Sequence, residues 1–362
     1  MKSSTVDIPL LTPKYHFHHE KGRVRLHLPT WLLVLLAVCI GLLAAASITL
    51  SYKLLSYKEI DRTAQSKVRS GQESNGSLIQ PHSPTPIPPK TPSKAAPAPP
   101  VKIDSYNTGL ALDPGLQQIL DAYNEVTPPA GVVVLDITDK RYAAIEPDQV
   151  RTAASLYKLF VARELYDFNV QGKLSFDQMV TVTQAAVNQD SSDPNLPVGT
   201  TIQVSECLRR MITISDNACG YLLGSLIGWN NVNETLNIRG YSHTSLGSDQ
   251  LTSAGDIGLL LRRVAEGQMV TPDSSHNLEA ILFEQQINTR LPALLPPGVI
   301  GHKTGDLNGL AHDAGIVRTK DKSYVIVVLS GPWKDVGKAN NSIAKLSLQV
   351  YDYILNFKPQ AN

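Results

Sequence analysis

Ser155 and Lys158 are the first residues in the chain whose types and spacing suit covalent catalysis. Leu156, Leu159 and Phe160 give this stretch the apolar spacing of a helix, and side chains three positions apart are neighbours on a helix surface. A serine hydroxyl is a weak nucleophile until a base removes its proton, and a lysine can be that base when burial or another cation lowers its pKa. The pair therefore predicts an activated serine at a helix start, although taken alone it also fits an ordinary helix.

Two further short motifs carry polar groups that complement such a serine. Ser215-Asp216-Asn217 offers a hydroxyl that, when it lies between two lysines, can pass a proton to a leaving group. Its amide can hold a substrate carbonyl, although the tripeptide also suits a helix cap. Lys303-Thr304-Gly305 stands at the end of a predicted strand. Its ammonium and hydroxyl groups suit a substrate carboxylate, and its glycine lets a substrate backbone lie against an edge strand.

The order and spacing of the three motifs resemble those of the active-site serine β-lactamases and penicillin-binding proteins. Ser155 and Ser215 are 60 residues apart, and Lys303 follows Ser215 by 88. The 60-residue interval, the Ser-Asp-Asn form and the single predicted domain are most similar to the class A β-lactamases. Leu196-Pro197-Val198-Gly199-Thr200, followed by Ile202-Gln203-Val204, is similar to the family's turn into the helix before the second motif. The resemblance covers about residues 110–358.

For the acylation chemistry, the resemblance implies that Ser155 attacks an amide carbonyl and becomes acylated. Lys158 would be the base or its partner, and Ser215 would pass the proton to the leaving nitrogen. The oxyanion hole would be the backbone N–H groups of Ser155 and Asp306. This chemistry requires no metal and no organic cofactor.

For substrate binding, the resemblance implies that Asn217 binds the side-chain amide of the substrate. Lys303 and Thr304 would bind its carboxylate, beside Gly305 in the edge strand.

The chain departs from class A β-lactamases between the second and third motifs, where those enzymes carry a glutamate on a long loop that positions the deacylating water. After Glu234, which the pattern places in a helix, the next glutamate is Glu266. Between them Asp249 and Asp256 are the only carboxylates, and Asp256 is expected on a helix surface. The deacylating base is therefore expected to be missing, unless Asp249 or His243 folds back into the gap.

A second departure follows the third motif, where the family often has an arginine. This chain has Asp313-Ala314-Gly315 there. His312 and Asp313 are near enough to the motif to affect it, and their roles stay open. One interpretation is that Asp313 only fixes the strand through hydrogen bonds.

The elements around these motifs predict one α+β domain over residues 105–362. We expect a mostly helical section over about 153–290, flanked by an amphipathic helix and strands on one side and by strands and a helix that begins at Asn341 on the other. The flanking ranges are 115–126 for the first helix and 130–137, 142–145, 299–303, 313–319 and 323–330 for the strands. This order predicts an antiparallel sheet whose first and last strands meet, and the resemblance implies a β-lactamase/transpeptidase-like fold.

The first 104 residues are expected to form a cytoplasmic tail (1–29), a transmembrane anchor (30–52) and an extracytoplasmic linker (53–104). Trp31 to Leu50 gives twenty residues without a charge, enough for a helix to span a bilayer core. Nine of the twenty residues from 81 to 100 are proline, which is typical of a disordered, extended spacer. We expect a single-pass bacterial membrane protein with an extracytoplasmic domain. The alternative is a signal peptide cleaved after Ala44-Ala45-Ala46.

Composition restricts the partners. The formal net charge of +1 gives no electrostatic reason for nucleic-acid binding, and we expect the domain to be monomeric. The cluster of His16, His18 and His19 is expected to be solvated rather than to hold a metal. Cys207 and Cys219 lie in stretches predicted as helices, so a bond between them needs a sharp bend, and two buried thiols are the expectation.

Three functions stay open on the sequence. Hydrolysis of β-lactams is favoured by the domain size, the spacing and the Ser-Asp-Asn motif. Cleavage of cell-wall peptide, as by a D-alanyl-D-alanine carboxypeptidase, is favoured by the missing glutamate, since a β-lactam mimics that dipeptide. The third is a non-catalytic sensor of β-lactam or muropeptide, which the short tail without a recognisable signalling domain disfavours.

Overall fold

The computed structural model describes residues 105–189 and 196–358. The predicted tail, membrane anchor and linker lie outside the described residues. Among the residues that are described, no helix is both long enough and apolar enough to cross a membrane.

A six-stranded sheet forms the centre of the domain. Its strands are β1 (Ala111–Leu112), β2 (Gly131–Asp136), β3 (Arg141–Ile145), β8 (Ile300–Leu307), β9 (Leu310–Arg318) and β10 (Ser323–Leu329), in the spatial order β1-β3-β2-β10-β9-β8. β1 and β3 are parallel, and the other neighbours are antiparallel. β2 and β10, the first and last of the predicted strands, pair antiparallel over six residues as predicted. The sheet is not wholly antiparallel as expected, because the short β1, which the sequence did not predict, pairs parallel with β3 at one edge.

Helices and two short strand pairs connect the two halves of this sheet. The helices are α1 (Pro114–Glu125), α2 (Tyr157–Val170), α3 (Gln184–Val187), α4 (Val204–Thr213), α5 (Asn217–Ile227), α6 (Trp229–Ile238), α7 (Ala254–Ala265), α8 (Pro272–Phe283) and α9 (Val336–Asn356). The short pairs join β4 (Arg151–Thr152) to β7 (Leu251–Thr252) and β5 (Met179–Thr181) to β6 (Thr201–Gln203). The section between β3 and β8 is therefore mostly helical, as predicted.

The core is divided by the sheet into two apolar layers. Because successive side chains of a strand point to opposite faces, Val132 and Val134 of β2 pack with α1 and α9, whereas Val133 and Leu135 pack with α2 and α7. All four side chains are fully buried. Burying a valine or leucine side chain contributes about 1.5–3 kcal/mol, so both layers stabilise the sheet that carries β8.

The structure corrects three predicted boundaries. The last helix begins at Val336 instead of Asn341, because the Asp335 carboxylate caps it by accepting a hydrogen bond from the Lys338 N–H at 3.2 Å. β8 and β9 extend beyond the predicted strands and meet in a two-residue turn. Asn308 and Gly309 occupy this turn with φ of 45° and 85°, the left-handed backbone that tight hairpins require.

The expectation of two separate thiols was wrong, because Cys207 and Cys219 form a disulfide with their Cα atoms 5.2 Å apart. Cys207 lies in α4 and Cys219 in α5. The chain reverses between these helices at Ser215, whose φ is 60°. This is the sharp bend that the apolar spacing of the sequence did not reveal.

Candidate active site

Ser155 lies in a short 3₁₀ turn, Ala154–Leu156, that leads directly into α2. Ala154 has a φ of 45°, a strained value for a residue with a side chain, so neighbouring contacts must hold it. The Ala153 N–H donates to the Gln250 carbonyl at 2.7 Å from the loop before β7. On the other side β8 lies close, since a Cβ added to Gly305 would come within 3.3 Å of the Ala154 Cβ. Glycine at 305 therefore lets the strand approach the serine turn.

Lys158, in the first turn of α2, is fully buried. Its Nζ lies 3.3 Å from the Ser155 Oγ, and 2.6 Å from both the Ser215 carbonyl and the Asn217 Oδ1. Gly220 allows α5 to pack against it, because a Cβ there would lie 2.9 Å from the Lys158 Cε. Burial lowers the pKa of Lys158 to about 7, although the nearby Asp216 carboxylate opposes this shift. A neutral amine is thus accessible near pH 7, and it can accept a proton.

Ser215 stands between the two lysines. Its Oγ lies 3.3 Å from the Lys158 Nζ and 2.8 Å from the Lys303 Nζ. Its left-handed backbone is followed by Asp216, which caps α5 by accepting from the Cys219 N–H at 3.0 Å and which pairs with Arg210 at 2.9 Å. The first half of the motif thus presents a hydroxyl to the Nζ atoms of both lysines, while Asp216 holds the bend.

The third motif lies on β8, at the edge of the sheet. Lys303 is fully buried, and its Nζ also donates to the Thr304 carbonyl at 2.8 Å. Burial, followed by repulsion from Lys158, lowers the pKa of Lys303 well below its ordinary value, although the Asp313 and Asp306 carboxylates oppose this. The Thr304 Oγ1 is buried and has no hydrogen-bond partner among the described residues, so a ligand could supply one.

Asp306 follows this motif, and the structure pairs its half-exposed carboxylate with Arg290. Sequence reasoning missed Arg290, because it sought an arginine on the strand after Lys303. Arg290 instead comes from the segment between α8 and β8 and is buried. A lone arginine in an irregular segment gives no sequence signal that it will reach another strand.

His312 and Asp313 hold β9 to its neighbours. The His312 Nδ1 accepts from the Ser330 N–H at 3.0 Å, so its Nε2 carries the proton and donates to the Thr152 carbonyl at 2.9 Å. Burial lowers the pKa of His312 to about 4, which keeps the ring neutral. The buried Asp313 carboxylate contacts the His302 Nδ1 at 2.8 Å and accepts from the Leu291 N–H at 3.1 Å. These contacts agree with the interpretation that Asp313 fixes the strand.

The loop between α6 and β7 does not bring Asp249 or His243 to the motifs in any contact of the described residues. Asp249 is exposed. The His243 N–H donates to the Asp256 carboxylate at 2.9 Å, and the Thr244 hydroxyl does so at 2.7 Å. The prediction of a surface position for Asp256 was wrong, because these groups and α7 bury it, and burial raises its pKa. Glu234 is exposed on α6, the helix predicted for it.

The fold and the three motifs define a β-lactamase-related serine hydrolase. The sequence profile of the Beta-lactamase enzyme family matches residues 111–354, and the chain belongs to this family. No curated protein sequence matches the chain.

Several solved structures share the fold at low sequence identity. PBP-A is 23% identical, with a TM-score of 0.64 over 68% of this chain and 98% of that chain. A mutant of PBP-A, solved as an acyl-enzyme complex with penicillin G, gives the same values. A β-lactamase from Sphaerobacter thermophilus is 20% identical, with a TM-score of 0.62 over 68% of this chain and 98% of that chain.

Proposed function

We propose that this protein is a serine hydrolase whose Ser155 is acylated by β-lactams and that it hydrolyses the resulting ester slowly. One observation carries the proposal: the buried Lys158 Nζ lies 3.3 Å from the hydroxyl oxygens of both Ser155 and Ser215. The lowered pKa of that lysine gives the serine a base near neutral pH.

Acylation then proceeds with each proton accounted for. Neutral Lys158 takes the proton of the Ser155 hydroxyl while the Ser155 Oγ attacks the carbonyl carbon of the β-lactam. The backbone N–H groups of Ser155 and Asp306 stabilise the oxyanion, and donors of this kind contribute several kcal/mol to catalysis. When the carbon–nitrogen bond breaks, the Ser215 hydroxyl protonates the leaving nitrogen and recovers a proton from Lys158. The Lys303 Nζ, 2.8 Å from the Ser215 oxygen, orients this hydroxyl for the transfer.

Hydrolysis of the acyl-enzyme lacks comparable help. No contact of the described residues brings a carboxylate to Ser155, and Asp249 is exposed. General-base assistance to an attacking water is typically worth about 10²–10⁴-fold in rate. Deacylation is therefore expected to be slower than acylation, so that the acyl-enzyme accumulates.

Cleavage of cell-wall peptide is the second candidate. The same missing carboxylate favours it, because a peptidase need not hydrolyse a β-lactam ester rapidly. A mutant of PBP-A, a protein similar in fold, was solved as an acyl-enzyme complex with penicillin G, and a serine acylated by penicillin is compatible with this candidate.

We further propose that the domain works outside the cytoplasm, on an N-terminal membrane anchor and a linker. The Cys207–Cys219 disulfide supports this location, since disulfides persist in oxidising compartments. The uncharged run from Trp31 to Leu50 supports the anchor.

Pre-steady-state kinetics with a chromogenic β-lactam test the proposal. We expect a burst of one product per enzyme followed by slow turnover. The same preparation is then assayed for release of D-alanine from a D-alanyl-D-alanine peptide, and release faster than β-lactam turnover would favour the second candidate. Rapid β-lactam turnover without a burst would contradict slow deacylation, and the absence of both reactions and of any acyl-enzyme would contradict the enzyme.

A further inference from the structure

Arg290 is held rigidly beside the third motif by contacts from two other elements. Its Nη1 donates to the His312 carbonyl on β9 at 2.9 Å, and its Nε donates to the Asn340 Oδ1 on α9 at 2.8 Å. The residue is 2% exposed. The guanidinium group thus stays in place whether or not Asp306 remains bound to it.

The Asp306 carboxylate accepts hydrogen bonds from the Nη atoms of that guanidinium group. Arg290 donates to it from both Nη atoms, once at 3.2 Å and once at a shorter distance. The Asp306 side chain is 53% exposed, whereas that of Arg290 is 3% exposed. The carboxylate therefore lies between the guanidinium group and solvent.

Thr304 and Asp306 are two residues apart on β8, so their side chains lie on the same face of the strand. The Thr304 Oγ1 is buried and without a partner among the described residues. A ligand group that forms a hydrogen bond with this hydroxyl would lie near the Asp306 carboxylate. Arg290 is already paired with that carboxylate and cannot bind the ligand as well. The low pKa of Lys303 further reduces the positive charge available to an anionic ligand.

We infer that Asp306 is a specificity-determining residue that disfavours ligands with a free carboxylate beside Thr304 and favours ligands in which that group is an amide or is otherwise uncharged. The inference rests on the proposed function and names its substrate class: a peptide that continues beyond the cleaved bond, or one whose terminal carboxylate is amidated. Under the proposed function penicillins still acylate Ser155, although their free carboxylate is of the disfavoured kind.

The test compares penicillin G with its methyl ester on the full-length protein and on Asp306→Asn. The substitution removes the charge and keeps an oxygen that can accept from Arg290. We expect the ratio of acylation rate constants, acid over ester, to rise about tenfold or more, because loss of the Asp306 charge leaves the Arg290 cation free to attract the ligand's carboxylate. Asp306→Ser should raise the ratio as well. Asp321→Asn, in the exposed turn at the far end of the β9–β10 hairpin, is the matched control, whose ratio should stay at the parent value.

A ratio unchanged or lowered in both Asp306 variants would overturn the inference, and so would an equal rise in the Asp321 control. Adding Arg290→Gln to Asp306→Asn should return the acid-over-ester ratio to the parent value, because the unpaired Arg290 guanidinium group is the source of the rise. A raised ratio that persists in a folded Asp306→Asn/Arg290→Gln variant would overturn the inference.

Binding without chemistry separates this inference from the proposed function. In a Ser155→Ala background, calorimetry measures the affinity for the acid and the ester with and without Asp306→Asn. A selective gain in affinity for the acid supports the inference even if the parent enzyme never becomes acylated. Absence of acylation would then refute the proposed function alone. Acylation of Ser155 with no selective gain refutes the inference alone. Failure of every protein to bind either compound refutes both.

Discussion

Lys158 shows how burial and polar contacts compete at a single side chain. Its Nζ contacts the oxygens of Ser155, Ser215 and Asn217, and the Asp216 carboxylate favours the charged form. Burial outweighs that attraction, because the pKa still falls to about 7. The residue can therefore donate hydrogen bonds when charged and accept the serine proton when neutral.

The pH dependence of acylation follows from this pKa. Below about 7 Lys158 is protonated and cannot accept a proton, so the acylation rate constant should rise with pH and be half-maximal near 7. Stopped-flow measurement of acylation between pH 5 and 9, with the fold checked by circular dichroism at each end, tests the sign. A rate constant that is flat or falls across this range would argue against a lysine base.

Substitution of the same residue tests its role in the transition state. Lys158→Met should slow acylation by about 10²–10⁴-fold with little change in non-covalent affinity, because a general base acts on the rate of chemistry. Lys345→Met, at an exposed position of α9, is the control and should acylate at the parent rate. An acylation rate within a few fold of the parent in Lys158→Met would exclude Lys158 as the base.

The elements around the site differ in how far the sequence predicted them. The three motifs were grouped into one predicted site by their order and intervals, which resemble those of the β-lactamase family, and not by local pattern alone. The Asn308-Gly309 turn and the Asp335 cap were also readable, since both are local signals that the strand and helix predictions passed over. Arg290 and the Cys207–Cys219 bond were not, because each depends on how separate segments pack.

The disulfide is a property of the bend between α4 and α5, and removing it should weaken that bend. Cys207→Ala/Cys219→Ala should lower the free energy of unfolding by about 2–4 kcal/mol, because the cross-link restricts the unfolded chain. Urea denaturation of the variant, of the parent and of the reduced parent provides the comparison. Equal midpoints for the variant and the oxidised parent, or two titratable thiols in an unreduced fragment that lacks Cys39, would contradict the bond.

At the scale of the whole molecule, the pairing of β2 with β10 makes the domain depend on both ends of its sequence. β2 lies at 131–136 and β10 at 323–329, and both apolar layers pack against them. The strand that carries Lys303 reaches this pair through β9. The catalytic geometry is therefore completed only when the last hairpin has joined the sheet.

A fragment of residues 105–358 should fold without the preceding segments, because α1 and α9 already cover one face of the sheet and the helical section covers the other. A cooperative thermal transition and a soluble monomer in gel filtration are the expected results. A second fragment that ends at residue 298 lacks three strands and should not fold. Aggregation of the longer fragment under conditions where the full chain folds in detergent would show that the boundary is wrong.

The most direct test of the central claim is the intact mass of the protein after exposure to penicillin G, followed by peptide mapping. Ring opening retains every atom of the drug, so the account predicts one adduct with the full mass of penicillin G, located on Ser155 and persisting after excess drug is removed. Ser155→Ala should carry no adduct. An adduct on the Ser155→Ala protein, or drug hydrolysed by the parent with no adduct at any time point, would contradict the account.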